Sequence, residues 1–228
     1  MRKLNKCLEK KKYTSIPIWF MRQAGRYLKE FRDIRKKNPN FINLCLNQQL
    51  VSEISLQPIK KFDLDAVILF SDILIIPYGL GQKVKFKKNT GPILGDVNLD
   101  LILNINENDF INRINPVYKS LNLLKNDMDY NNKSLIGFAG APWTLFLYMI
   151  HKRSPKKNFN KNKILNDKNL LNNLILKLEN IICLHIDKQI EAGANVIQLF
   201  DSWAGLLSRD DLYKYCYSPT LKIVNYIK

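Results

Sequence analysis

The chain has 228 residues, 46% hydrophobic and 25% charged, and a formal net charge of +16 from 36 Lys and Arg against 20 Asp and Glu. That composition suits one globular domain with a sizeable core. No run of about 18 apolar residues predicts a membrane-spanning helix, and the basic start, Met1 to Lys12, leads into no apolar segment with a cleavage-like site, so neither a membrane partner nor a secretory signal is expected.

The first predicted element is a buried strand at Ile16 to Phe20, an apolar run rich in β-formers. It ends in Met21-Arg22-Gln23-Ala24-Gly25-Arg26, which places two guanidinium groups and an amide beside a small, permissive pair. Arginine stays charged and offers a planar fork matched to carboxylate or phosphate. The stretch therefore reads either as an anion site at the carboxyl end of a strand or as a loop with two solvated arginines.

Tyr27 to Lys37 is helical in character and is broken by Asn38-Pro39-Asn40. Cys45 to Lys61 spaces Leu46, Leu50, Val51, Ile54 and Ile59 as an amphipathic helix ending near Pro58. Asp65 to Asp72 is a second strand, a continuous apolar run bounded by Asp65 and closed by Ser71 and Asp72. Ile73 to Gly81, with Pro77, Gly79 and Gly81, is predicted to be a structured loop. Lys83 to Lys87 alternates charge and apolar residues, as in a half-exposed strand that forms a hairpin with Ile93-Leu94. Asn98 to Asn108 is only weakly periodic, and Ile114 to Met128 is a predicted helix.

Leu135 to Gly140 is a third strand candidate, followed by a helix with Pro142 at its start. Residues 151–163 read as a lysine-rich loop, and Leu165 to Ala192 as a long amphipathic helix closed by Gly193. Asn195 to Phe200 is a fourth buried strand ending in Asp201-Ser202. Ser208 caps a last helix, with a break or kink at Pro219. Strand–helix alternation with continuous apolar strands means a parallel sheet covered by helices. The polar groups fall at the carboxyl ends of the strands, where β/α barrels and open α/β sheets build their sites. No GxGxxG or GxxxxGK[ST] motif is present.

The excess lysine lies in clusters at Lys10–Lys12, Lys83–Lys88 and Lys152–Lys163. A basic balance favours acidic ligands. These clusters sit in predicted loops without interleaved aromatics, so they read as solvated surface, and no nucleic-acid partner is expected. Cys7, Cys45, Cys183 and Cys216 form no CxxC pair, and Cys183 and His185 at i,i+2 point to different helix faces. The residues predict no metal site and a cytoplasmic protein with reduced thiols.

Four stretches in order, PIWFMRQAGRY at 17–27, FSDIL with PxGLG at 70–81, GFAGAPWTL at 137–145 and QLFDSWAG at 198–205, resemble the uroporphyrinogen decarboxylase family. The resemblance runs from about Ile16 to the C-terminus. It implies an α/β fold of the (β/α)8 TIM-barrel type, with residues 1–15 as a basic N-terminal segment and 16–228 as an incomplete barrel domain holding about the first four strand–helix units. It also implies a homodimer that uses no metal or organic cofactor. The implied reaction removes the four acetate carboxyls of uroporphyrinogen III, giving coproporphyrinogen III in haem biosynthesis.

The resemblance implies a role for each matching residue. Arg22, Gln23, Ala24, Gly25 and Arg26 correspond to the segment that binds substrate carboxylates. Asp72 corresponds to the central aspartate that accepts pyrrole N–H groups, and Tyr148 and Ser202 to two further substrate contacts. Arg22 and Asp72 are the expected catalytic pair, although arginine is a poor acid, and a bound water or substrate carboxylic acid is an alternative proton donor. Read alone, Asp72 can instead cap a turn, Tyr148 can be a core aromatic and Ser202 a cap.

Two departures stand out. An eight-unit barrel usually needs about 250 residues, so the chain is expected to be a fragment that requires a C-terminal half for activity. In place of the family's glycine-rich segment after Tyr148 stands His151-Lys152-Arg153-Ser154-Pro155. Competing readings are a cobalamin-linked methyltransferase, which needs zinc ligands, a non-catalytic remnant, and a basic RNA-binding protein.

Overall fold

Three strands build the central sheet of the computed structural model: β1 (Ala66–Ile68), β4 (Ser134–Gly140) and β5 (Val196–Phe200), in the order β1-β4-β5. The described residues are 2–9, 15–87, 90–127, 132–155 and 162–227. β1 and β4 run parallel, with Ala66 opposite Ser134 and Ile68 opposite Ile136. All seven residues of β4 are buried, as its uninterrupted SLIGFAG run requires of a strand covered on both faces. β2 (Val84–Lys87) and β3 (Gly91–Leu94) form a separate antiparallel hairpin. The protein is an α/β fold with a parallel sheet.

The helices in order are α1 (Lys3–Leu8), α2 (Lys29–Lys37), α3 (Phe41–Cys45), α4 (Gln48–Lys61), α5 (Ile75–Gly79), α6 (Leu99–Asn104), α7 (Glu107–Asn126), α8 (Pro142–His151), α9 (Asn162–Leu165), α10 (Lys168–Glu191), α11 (Arg209–Leu212) and α12 (Ser218–Ile227). Two compact units result: Met1–Asp72 with Asn115–Phe138 and Lys188–Gln198, and Ile73–Ile114 with Ala139–Asp187 and Leu199–Lys228.

In the first unit, Leu28, Phe31, Leu44 and Ile54 form a buried cluster with Ala24, Ile34, Leu50 and Phe70 around it. Asn40 and Asn47 cap α3 and α4 through their side-chain oxygens. Ser55 of α4 is fully buried; its hydroxyl donates to the Val51 carbonyl at 2.7 Å and accepts the Phe70 N–H at 2.8 Å. Helix and strand exit are thereby joined. Gln189 reaches Phe138 of β4 with both ends of its amide, donating to the carbonyl at 3.0 Å and accepting the N–H at 2.9 Å. Gly193, at φ +118, lets the chain leave α10 in the left-handed region.

In the second unit, the Trp143 ring stacks on Phe146 and on Tyr215 at centroid distances of 5.8 and 6.3 Å. Buried Gln82 donates to the Gly95 and Met149 carbonyls. Pro142 occupies the first turn of α8, as predicted, and Lys152 closes that helix at φ +63. Ser208 caps α11 by accepting the Asp211 N–H. Residues Tyr213–Tyr217 form one wide π-type turn before α12. The irregularity predicted at Pro219 thus lies upstream of it, and Pro219 is buried in the first turn of α12.

Several expectations need correction. Ile16 to Phe20 forms no strand and is not buried: Ile16, Ile18 and Phe20 are exposed, and the segment meets the sheet through Asp65, whose N–H donates to the Ile18 carbonyl at 2.8 Å. Among the described residues the sheet therefore has three strands where four were expected. Ile73 to Gly81 is not a loop; it contains α5. Asn98 to Asn108 contains α6 and the start of α7. α4 ends at Lys61, with Lys60 and Lys61 in its last turn as expected and Pro58 inside the helix. β5 is half-buried throughout, where a fully buried strand was expected. Lys10–Lys12, Lys88 and Lys156–Lys161 lie outside the described residues.

Candidate active site

The first unit carries the arginine loop. Its turn is closed by the Gln23 N–H on the Phe20 carbonyl at 3.1 Å and by the Leu28 N–H on the Gly25 carbonyl at 3.0 Å. Gln23 is 3% exposed and faces inward. Its amide nitrogen donates to the Ala66 carbonyl at 3.0 Å, and its amide oxygen accepts the Phe20 N–H at 3.3 Å. The Tyr27 hydroxyl donates to the Gln23 carbonyl. Both neighbouring arginines, Arg22 and Arg26, are exposed, whereas Ala24 and Gly25 are half-buried. A Cβ on Gly25 would make only ordinary contact, with the Tyr27 ring at 3.8 Å and the Arg22 carbonyl at 3.9 Å. Arg32 donates to the Arg26 and Tyr27 carbonyls and fixes the far side of the loop.

Asp72, half-buried, lies four residues beyond the end of β1. The segment leading to it is held by the Leu69 N–H on the Ile136 carbonyl and by the Phe70–Ser55 bond. The Phe70 ring meets Phe31 and Phe41 edge-on at 5.5 and 5.8 Å. Ser71 Oγ is buried without a hydrogen-bond partner. Burial pushes the Cys45 thiol well up, and the negative charge of Asp72 adds to the effect. Cys45 is thus a neutral thiol beside that carboxylate.

The second unit carries the other motif residues. Tyr148 is half-buried on α8, and its ring meets Trp203 edge-on at 6.1 Å. Ser202 is exposed in the turn after β5. That turn is tied to the start of α8. The Ala141 N–H donates to the Phe200 carbonyl at 2.9 Å, and the Trp143 indole N–H to the Trp203 carbonyl at 3.0 Å. The buried Thr144 hydroxyl donates to Asp201 Oδ1 at 2.6 Å and accepts the Trp203 N–H at 3.1 Å. Burial, with the Asp201 carboxylate next to it, pushes the Cys216 thiol up. His185 is buried edge-on to Phe110, and burial with Arg153 nearby pushes His151 down. Among the described residues no three His, Cys, Asp or Glu side chains group as metal ligands.

Gln23 is expected from the motif as a substrate-binding residue, but its side chain is buried against the sheet; that anchoring role and the Thr144–Asp201 pair are not read from sequence. Nothing local marks them, because their partners lie 43 and 57 residues away.

The fold defines a class, an α/β protein with a parallel sheet, in which Asp72 and Ser202 come after the carboxyl ends of β1 and β5. Residues 1–228 match the model of the family described as Uroporphyrinogen decarboxylase (URO-D), and the chain belongs to that family. Relatives named uroporphyrinogen decarboxylase include that of Campylobacter jejuni, 41% identical over 93% of this chain and 63% of the relative. That of Rickettsia felis is 40% identical over 96% and 63%, and that of a Chelativorans species 38% identical over 100% and 66%. The chain therefore spans about 63–66% of the length of these relatives. A solved methyltransferase from Methanosarcina mazei has the same fold, with a TM-score of 0.78 at 15% identity over 99% of this chain and 66% of that one.

Proposed function

We propose that this chain is the motif-bearing part of a uroporphyrinogen decarboxylase, which converts uroporphyrinogen III to coproporphyrinogen III by removing its four acetate carboxyls as carbon dioxide. The observation that carries this reading is the family match over residues 1–228, which includes all four motifs in order.

The chemistry suits the residues. The substrate carries eight carboxylates around a ring of four pyrrole N–H donors. Exposed, permanently charged Arg22 and Arg26 bind carboxylates at the rim, and Gln23, Ala24 and Gly25 shape the loop that presents them. Tyr148 and Ser202 offer hydroxyls to the substrate. Decarboxylation needs an electron sink. Protonating the pyrrole α-carbon beside the one that bears the acetate arm makes a conjugated iminium-like cation, and the electron pair of the breaking C–C bond neutralises it as carbon dioxide leaves. The exocyclic methylene so formed takes up a proton to become the methyl group while the ring carbon gives back the one it gained. A carboxylate at Asp72 accepts the pyrrole N–H groups and stabilises that cation, an effect worth about 3 kcal/mol.

In this reading the sheet is part of an eight-stranded β/α barrel, and the enzyme works as a homodimer in the cytoplasm. Turnover requires the portion of the family's length outside these 228 residues. The test is to incubate uroporphyrinogen III with the chain alone, and with the chain co-expressed with the remaining portion of a relative, and to measure coproporphyrin after oxidation. Product only from the combination is expected. Product from the chain alone overturns the requirement, and no product from any combination overturns the decarboxylase reading.

A further inference from the structure

Ser202 stands exposed in a short turn after β5, a poor place for a precise contact unless something fixes it. Thr144 flanks it with two bonds. Its buried hydroxyl donates to Asp201 Oδ1 at 2.6 Å on one side of Ser202 and accepts the Trp203 N–H at 3.1 Å on the other. A threonine hydroxyl has one proton and two lone pairs, so both roles can be met at once. The Trp143 indole and the Ala141 N–H hold the Trp203 and Phe200 carbonyls from the same helix start. Tyr148 lies one helical turn beyond Thr144 on α8, with its ring edge-on to Trp203. The turn that bears Ser202 and the helix that bears Tyr148 thus share one buried anchor.

We propose that Thr144 is a positioning residue for substrate binding, setting the Asp201–Trp203 turn so that Ser202 and Tyr148 meet the substrate together. The inference rests on the decarboxylase reading for its substrate, and on the hydrogen bonds alone for its geometry. Contacts held to within about 0.5 Å depend on such supporting bonds. Thr144 touches no reacting atom, so its loss acts through Ser202.

The test uses Thr144→Val, nearly isosteric but without the hydroxyl, and Thr144→Ser, which keeps it. Two readouts serve. Amide hydrogen exchange at Trp203 in the folded protein needs no turnover: exchange at least tenfold faster in Thr144→Val, and near parental in Thr144→Ser, is expected. Steady-state kinetics in the complemented enzyme form the second: Thr144→Val raises KM for uroporphyrinogen about tenfold with less than a threefold fall in kcat, and Thr144→Ser restores it. In a Ser202→Ala background, Thr144→Val changes KM less than twofold, since the residue it positions is gone. Unchanged exchange at Trp203 overturns the geometry. An equal KM effect in both backgrounds overturns the positioning role while leaving the decarboxylase reading intact. Parental enzyme without turnover overturns that reading instead, and the exchange result still decides whether Thr144 sets the turn.

Discussion

The Gln23 amide nitrogen donates to the Ala66 carbonyl, at the first residue of β1, across 3.0 Å. With its amide oxygen on the Phe20 N–H, one buried side chain closes the arginine loop and fastens it to the sheet. Gln23→Leu removes the donor and the acceptor while keeping the bulk. It leaves the Ala66 carbonyl and the Phe20 N–H without these partners, which costs about 1–3 kcal/mol. Denaturant unfolding is expected to show that loss in the midpoint with an unchanged slope. Trypsin is expected to cut after Arg22 and Arg26 at least several times faster than in the parent.

The second prediction concerns Asp72. Asp72→Asn keeps the size and removes the charge that the proposed cation needs. In the complemented enzyme kcat/KM is expected to fall about 100- to 1000-fold, the scale of losing one preorganised electrostatic group. The circular dichroism spectrum and thermal midpoint are expected to stay near parental. Parental turnover in Asp72→Asn would remove the charge-stabilisation role.

Much of this architecture can be read from short stretches. The uninterrupted SLIGFAG run gives β4, Pro142 gives the first turn of α8, Ser208 gives a cap, and the alternating Lys83 to Lys87 gives β2. These features are local, set by propensity and pattern. What sequence misses depends on distant partners. Ile16 to Phe20 has strand composition, but composition does not supply a neighbour to bond, and the segment makes no ladder. Gly79 looks like loop punctuation; it lies in a helix, where a Cβ would come within 2.7 Å of the Phe110 ring, so close approach and not a turn requires it. Gln23, Arg22 and Arg26 look alike as polar loop residues, yet Gln23 faces in and the arginines face out. The motif identifies the segment, and only the fold separates the anchor from the exposed charges.

A pH dependence follows from Asp65. Burial pushes its carboxyl up, but the Ile18 N–H at 2.9 Å and Lys3 Nζ at 3.0 Å together outweigh burial and hold it below the ordinary aspartate value. A depressed carboxyl contributes stability that is full above the unfolded value, about 3.9, and is lost as pH falls through the lower folded value. The docking of Ile18 on Asp65 is therefore expected to survive at pH 5 and to fail only below about pH 4. The Ile18 amide proton shift, followed by NMR from pH 7 downward, checks this. In Asp65→Asn the acid step is expected to vanish and the segment to be looser at every pH.

The last prediction concerns Gly137 in the middle of β4. A Cβ there would fall 2.6 Å from Gln189 Oε1 and 3.1 Å from both Ala194 Cβ and Ile197 Cδ1. The first of these atoms is not a free side-chain end, because Gln189 Oε1 accepts the Phe138 N–H while its amide nitrogen donates to the Phe138 carbonyl. Gly137→Ala must therefore displace a buried amide that satisfies two backbone groups, in addition to crowding Ala194 and Ile197. Overpacking of this kind costs about 1–3 kcal/mol, and each bond lost by buried Gln189 adds to it. Gly137→Ala combined with Gln189→Ala is expected to be less destabilised than the sum of the two single changes, because the second substitution clears the space the first needs. Urea unfolding of the four proteins, the parent, each single variant and the double, measures that coupling directly. Strict additivity would mean that the strand shifts to admit the methyl without disturbing Gln189.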